Sequence, residues 1–201
     1  MEPSPARIGY VGLRAKTARA IVVTIAAGDG LPDVVTRGEI VLATPASPEL
    51  FQPYHAVMDL PWDRVATTVG KAESTIAATA AGALKDLVAG LCDAGVAVSG
   101  VGVVGAPERD LGAIASPHIR AHALEGRLFR SVVEQGLQVH EIRTEVLLER
   151  DAYASVAARL KQSSDDVKRA IQDLGRSAPA KGGPWRAEQK LAALAALFVL
   201  R

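Results

Sequence analysis

Hydrophobic residues in the first 43 positions recur in the short, β-branched runs that are typical of strands. IGYV (8–11) and ARAIVVTIAA (18–27) flank the turn-like GLRAKT, and GDG with Pro32 precedes a third run, DVVTRGEIVLA (33–43). Short strands with tight connections usually pair in antiparallel fashion. The pattern therefore predicts an antiparallel meander of three strands.

Residues 44–73 lack this periodicity. The segment contains four prolines, together with the aromatic residues Phe51, Tyr54 and Trp62. An irregular stretch of this length is uncommon within a compact domain. We expect either a functional lid or an additional hairpin around YHAVMDL (54–60), and we favour the hairpin.

From Ser74 the spacing becomes that of helices alternating with buried strands. STIAATAAGALKDLVAGLCDAG (74–95) has apolar residues at helical spacing and a stop at Gly95, whereas VAVSGVGVVGA (96–106) is typical of a strand buried on both faces. Ser163 or Ser164 is a suitable N-cap for one later helix. The remaining pattern predicts helices over 117–135, 143–162, 163–175 and 184–200, and a fifth strand over 137–142.

The final ten residues of the last predicted helix, LAALAALFVL (191–200), are all apolar. Ten residues are too few to span a bilayer, because a helix rises about 1.5 Å per residue. A helix that is apolar all round needs cover on every side. We therefore expect it to be buried in the core, with a dimer interface as the alternative.

Composition and charge narrow the class of protein. The chain has 201 residues, 49% of them hydrophobic, and its 23 Lys and Arg nearly balance 22 Asp and Glu. This balance excludes a global attraction to nucleic acid or membrane, although residues 117–201 carry 14 basic and 10 acidic side chains. Cys92 lies in an apolar helical pattern, which predicts a buried thiol. No signal sequence is evident, so we expect a cytoplasmic protein with no membrane partner.

The predicted elements follow the order of the ribonuclease H-like fold, and four segments resemble RuvC-type Holliday junction resolvases. IGYVGLRAKTARAIVV (8–23) resembles their first hairpin, and SPHIRAHALEGRLFRSVVEQGLQVHEIRTEVL (116–147) their helix-strand-helix unit. SSDDVKRAIQDLG (163–175) and WRAEQKLAALAAL (185–197) resemble two later helices. The resemblance implies an α/β fold with a five-stranded mixed sheet in the order 3-2-1-4-5 and helices on both faces. It also implies one domain over 1–201, with an insertion at about 44–73.

The resemblance also implies where a nuclease site would lie. Two Mg²⁺ or Mn²⁺ ions would need a cluster of carboxylates, one of them in the middle of strand 1. Tyr10 occupies that bridging position, and a phenol does not replace a carboxylate there. Glu108 and Glu188 are the remaining candidate catalytic acids. Each also has a structural explanation, because Glu108 is in a polar turn and Glu188 is in the first turn of a helix, where the helix dipole favours a carboxylate. We therefore expect a degenerate member without standard two-metal activity. An active nuclease with a relocated site and a purely structural domain are the alternatives.

Basic residues after position 117 suggest a surface for structured DNA. Arg120, Arg127 and Arg130 are spaced so that one helix presents them on roughly one face, although several glutamates are interleaved with them. A homodimer through the helices is also possible on this resemblance. His118 and His122 have the i, i+4 spacing of metal ligands. Without a third ligand nearby in the sequence, two surface histidines are the simpler interpretation.

Overall fold

Five strands form one mixed sheet in the order β3-β2-β1-β4-β5 in the computed structural model. The structure describes residues 7–27, 32–44, 46–108, 110–179 and 183–200, except the side chain of Trp62. β1 and β2 pair antiparallel, as do β2 and β3, whereas β4 is parallel to both β1 and β5. The predicted strand order is confirmed. The strands are β1 Arg7–Lys16, β2 Arg19–Ala26, β3 Asp33–Val41, β4 Val96–Gly105 and β5 Thr144–Leu148.

Helices cover both faces of the sheet and create two hydrophobic cores. On one face, α2 and α3 pack over Val11, Leu13 and Val103, and on the other α4, α5 and α6 pack over Tyr10 and Val23. The split follows from the alternation of side chains along each strand. The predicted placement of helices on both faces is confirmed. The helices are α1 Pro48–Phe51, α2 Trp62–Asp93, α3 Pro117–Val139, α4 Ala152–Leu160, α5 Ser164–Ser177 and α6 Ala187–Val199.

The closing helix α6 lies directly on the centre of the sheet. A Cβ atom added to Gly12 would lie 1.7 Å from the carbonyl oxygen of Ala192, and one added to Gly102 would lie 2.0 Å from that of Ala195. Residues 192–197 are at most 2% exposed. The core interpretation of this helix is therefore confirmed for the described residues, and its alanines and the strand glycines allow the close approach.

The hairpin predicted within residues 44–73 is wrong. The described part of this segment contains α1, a 3₁₀ turn over His55–Val57, and the first turns of α2, which begins at Trp62 rather than Ser74. Val65 and Val69 are buried and extend the helical spacing of Ile76 towards the amino end. The periodic stretch therefore begins three turns earlier than the alanine-rich sequence suggests.

The fifth strand is also displaced from its predicted position. Residues 137–139 complete α3 and residues 140–142 follow it as a turn, and the strand is Thr144–Leu148, which was predicted as part of a helix. Gly136 does not end α3. It faces α2, where a Cβ atom would lie 2.7 Å from Leu84 Cδ1. The glycine allows two helices to approach, a role that sequence spacing alone does not distinguish from a helix stop.

The long helix α2 flanks the sheet with one buried face. Its carboxyl end is at Asp93, followed by Gly95 with φ +74°, which confirms the predicted glycine stop. Cys92 is exposed, so the prediction of a buried thiol is wrong, because only its neighbour Leu91 faces the core. Over Asp63–Asp93 the helix is long and apolar enough to cross a membrane by length and composition, with mean hydropathy 1.3. Only 22% of its apolar window is buried.

Candidate functional site

A cleft of about 430 Å³ opens at the carboxyl ends of β1 and β4. Ligands of open α/β sheets bind at this end of the strands, where connections diverge. The loop after β4 and the amino-terminal half of α3 form its other walls. We call it the cationic cleft, because four of its lining side chains are basic and two are acidic. These charged residues are Arg14, Lys16, Glu108, Arg127, Arg130 and Glu149.

The end of β1 supplies two cations to the cationic cleft. The Arg14 side chain is 15% exposed, and its Nη1 lies 2.7 Å from Glu149 Oε2 in the 3₁₀ turn after β5. Arg14 Nε is buried without a hydrogen-bond partner among the described residues. Lys16 is less closely paired, since its Nζ lies 4.0 Å from Glu188 Oε1 and its side chain is 39% exposed. Arg14 is therefore held in place, whereas Lys16 can reach a ligand.

Helix α3 supplies the opposite wall. Arg130 Nη1 donates a hydrogen bond of 2.9 Å to the carbonyl oxygen of Ala106, and Arg130 Nε lies 3.6 Å from Glu134 Oε1. Arg127 lies on the same wall and is exposed. Arg120 is not among the residues that line the cleft, and its Nε donates to the carbonyl oxygen of Ile114. The structure thus brings two of the three predicted arginines together.

The three positions predicted from the nuclease resemblance, Tyr10, Glu108 and Glu188, do not form one site. Tyr10 is 5% exposed in the core beneath α6, and it does not line the cationic cleft. Glu108 is exposed on the cleft wall, whereas Glu188 is on the first turn of α6 beside Lys16. Among the described residues, neither glutamate joins a group of three potential ligands within 4.8 Å of one another.

Three histidines form such a group beside the cleft. His118 and His122 come from the first two turns of α3, and His55 comes from the 3₁₀ turn before α2. Their ring centroids are 4.3 to 5.0 Å apart, and each pair meets edge to face. His122 also lines the cationic cleft. We call these residues the histidine cluster.

Buried polar contacts fix the segment that carries His55. Glu125 is 1% exposed, and its Oε1 lies 2.8 Å from His55 Nδ1 and accepts the His55 backbone N–H at 3.2 Å. Next to it, the hydroxyl of Tyr54 donates to Glu73 of α2. Burial, reinforced by this hydrogen bond, raises the pKa of Tyr54, so its phenol stays neutral.

Sequence spacing identified two members of the histidine cluster and missed His55 and Glu125. His55 is more than 60 residues from His118 and belongs to the segment without periodicity. Glu125 does carry a signal, because it occupies the apolar stripe of α3 between the buried Leu124 and Leu128. A carboxylate in such a stripe requires a partner in the core.

Solved structures provide the comparison that decides the fold. The chain matches Thermus thermophilus RuvC with a TM-score of 0.54 and 10% sequence identity, over 94% of this chain and 92% of that one. The chain has a RuvC-like fold. T. thermophilus RuvC in complex with a Holliday junction substrate matches with the same score and identity, over 96% of this chain and 92% of that one. No protein-family model and no curated protein sequence matches the chain.

The end of β1 lies next to the first turn of α6, where Lys16 pairs with Glu188. The resemblance implied carboxylates for two divalent ions in the middle of β1, at the end of β4 and on the last helix. Here the end of β1 carries Arg14 and Lys16, and α6 contributes Glu188 as a partner for Lys16. Such an arrangement attracts an anion more readily than a pair of divalent cations.

Proposed function

We propose that this protein binds the phosphate backbone of structured DNA in the cationic cleft and performs no standard two-metal cleavage. The observation that carries the proposal is the set of four basic side chains at the carboxyl ends of β1 and β4. Lys and Arg contacts with phosphates provide most of the affinity in sequence-independent DNA binding. The T. thermophilus RuvC structure with a Holliday junction substrate supports this choice of ligand.

The individual cations have different roles under this proposal. Arg14 is held by Glu149, and Arg130 by the Ala106 carbonyl and Glu134, so both are fixed in position with their charges partly balanced. Arg127 is exposed and Lys16 is 39% exposed, so both can move to a phosphate. Lys16 and Arg127 are therefore the best positions for testing binding without disturbing the fold.

Binding is tested with a fluorescent four-way junction and fluorescence anisotropy. Lys16→Gln with Arg127→Gln is expected to weaken binding on the order of tenfold, because two phosphate contacts are lost. The matched control, Lys168→Gln with Arg176→Gln, removes the same charge from exposed positions of α5. The control should bind like the wild-type protein. An equal loss in both double variants would show that net charge, rather than the cleft, determines binding.

The absence of standard nuclease activity is tested on the same junction. Mg²⁺ requires hard oxygen ligands in a shared cluster. Tyr10 is buried in the core, and the described acids Glu108 and Glu188 share no cluster of three. We expect no cleavage of the junction with Mg²⁺ or Mn²⁺.

Specific nicking that Glu108→Gln or Glu188→Gln abolishes would contradict this part of the proposal. It would instead support the alternative, a divalent-metal nuclease with a relocated carboxylate site. Junction binding that does not depend on Lys16 and Arg127 would contradict the role of the cationic cleft. No binding to the junction at all would favour the other alternative, a structural domain without a role on DNA.

We also propose that residues 1–201 form one ribonuclease H-like unit with an insertion at about 44–73. The described part of this segment supplies Tyr54 and His55, which contact Glu73 on α2 and Glu125 on α3. The segment is thus attached to the two helices that cover one face of the sheet. The contact between His55 and Glu125 supports a segment fixed to α3 rather than a loose connection.

A further inference from the structure

The histidine cluster combines ligands from two distant parts of the chain. His118 and His122 lie one turn apart on α3, and the 3₁₀ turn at His55 brings a third imidazole against them. One nitrogen from each residue lies within 4.8 Å of the others. Edge-to-face packing alone accounts for the contact between the rings. It does not account for the buried polar atoms of His55 and Glu125 that have no hydrogen-bond partner among the described residues.

Glu125 determines which His55 nitrogen is free to bind. Its Oε1 lies 2.8 Å from His55 Nδ1, so it accepts the proton carried by that nitrogen. In the neutral imidazole the lone pair is then on Nε2. His55 Nε2 is buried and has no hydrogen-bond partner among the described residues. Glu125 Oε2 is buried and unpartnered in the same way.

Two buried polar atoms, His55 Nε2 and Glu125 Oε2, are thus left without a hydrogen-bond partner among the described residues, which costs stability. A cation bound at Nε2 would satisfy that nitrogen and also balance the buried Glu125 carboxylate. A carboxylate that receives the other ring N–H of a ligating histidine is the usual outer partner of a protein metal site.

We propose that His55, His118 and His122 bind one transition-metal ion of the Zn²⁺ class, with Glu125 orienting His55. Imidazole nitrogens suit Zn²⁺, Co²⁺, Ni²⁺ and Cu²⁺, whereas Mg²⁺ and Ca²⁺ require oxygen ligands. This site is therefore distinct in chemistry from a carboxylate centre for Mg²⁺. It does not depend on DNA binding in the cationic cleft.

The cluster is close to the geometry that such an ion requires. Nitrogens bound at 2.0–2.1 Å around a tetrahedral ion are about 3.3 Å apart. The separation within the cluster, up to 4.8 Å, therefore has to contract on binding. His118 and His122 are exposed, so rotation of their side chains can provide this movement. His55 is held by Glu125 and supplies the fixed point.

Three protein ligands leave a further coordination position at a tetrahedral ion. His122 belongs both to the histidine cluster and to the wall of the cationic cleft, one turn from Gly126 and Arg127. An ion held by the cluster would therefore be at the edge of the cleft. It would also join the segment containing His55 to α3, and so stabilise that contact by mass action.

The test titrates Zn²⁺ alone into the metal-free, untagged full chain by isothermal titration calorimetry. The absorption spectrum of the Co²⁺-loaded protein serves as a second readout of the ligand set. We expect one equivalent of Zn²⁺ to bind. His118→Asn and His122→Asn, both at exposed positions, should each remove this binding while the metal-free protein still unfolds in one cooperative thermal transition.

Two further variants separate a built site from general histidine affinity. Glu125→Gln keeps a hydrogen-bond acceptor for His55 but removes the charge, and should weaken Zn²⁺ binding about tenfold to a hundredfold. His140→Asn is the matched control, because His140 lies outside the cluster at the end of α3. It should bind Zn²⁺ like the wild-type protein.

The proposal is overturned if the wild-type chain takes up neither Zn²⁺ nor Co²⁺. It is also overturned if His118→Asn and His122→Asn bind Zn²⁺ as tightly as the wild type, or if His140→Asn loses binding to the same extent. Either result would mean that any uptake is adventitious. Junction binding measured on the same samples distinguishes a failure of this site from a failure of the cationic cleft.

Discussion

At the scale of single residues, glycines of the central strands determine how closely α6 packs on the sheet, and basic residues at the end of β1 form part of the cationic cleft. Gly12 and Gly102 allow the backbone of α6 to lie on β1 and β4. Tyr10 is on the same face of β1 but is buried, whereas Arg14 and Lys16 reach the cleft. One face of β1 is therefore part of the core at Tyr10 and part of the candidate binding surface at Arg14 and Lys16.

Gly102→Ala tests the close contact between helix and sheet. The new Cβ would lie 2.0 Å from the backbone oxygen of Ala195, and backbone cannot rotate away as a side chain can. We expect the free energy of unfolding to fall by about 1–3 kcal/mol, measured by chemical denaturation. Gly82→Ala is the control, since nothing lies within 4 Å of that position in α2. The control should stabilise the helix by about 0.5–1 kcal/mol. A Gly102→Ala protein as stable as the wild type would mean that α6 lies further from the sheet.

At the scale of elements, capping and helix contacts determine where helices begin and end. Ser163 caps α5 in a reciprocal arrangement, in which its hydroxyl accepts the backbone N–H of Asp166 and the Asp166 carboxylate accepts the N–H of Ser163. Of the two caps that the sequence predicts, Ser163 and Ser164, the structure therefore has Ser163. Hydrogen bonds from Ser163 lower the pKa of Asp166.

Ser163→Ala tests this cap and its pH dependence. Loss of the side-chain cap should reduce the free energy of unfolding by about 1 kcal/mol at pH 7. Because the pKa of Asp166 is lowered in the folded state, its contribution is present above its unfolded pKa of about 3.9 and is lost as the pH falls through the folded value. The difference between variant and wild type should therefore narrow below about pH 4.

Ser177→Ala is the matched control for the cap, because Ser177 is at the other end of α5 and its hydroxyl donates to carbonyls of its own helix. Its effect should stay within about 0.5 kcal/mol. The capping account would be contradicted if both variants lost the same free energy of unfolding. It would also be contradicted if the loss caused by Ser163→Ala grew at acid pH. Denaturant titrations at several pH values provide both measurements.

At the scale of the whole molecule, the order of elements could be predicted, but several boundaries and one site could not. The buried run of β4 and the glycines of β1 follow from local pattern. The position of β5 does not, because an edge strand with exposed Val146 lacks the continuous apolar run of β4. The histidine cluster requires contacts between α3 and the segment around His55, and no spacing along the chain predicts such a contact.

The central claim is that the cationic cleft contacts DNA phosphates. The most direct test is the slope of log Kobs for a four-way junction against log salt concentration. Each phosphate contact contributes about −0.9 to this slope, so Lys16→Gln with Arg127→Gln should make it shallower by about 1.8. The control pair, Lys168→Gln with Arg176→Gln, should leave it unchanged. A slope that is the same for the wild type and the Lys16 and Arg127 double variant would contradict the account.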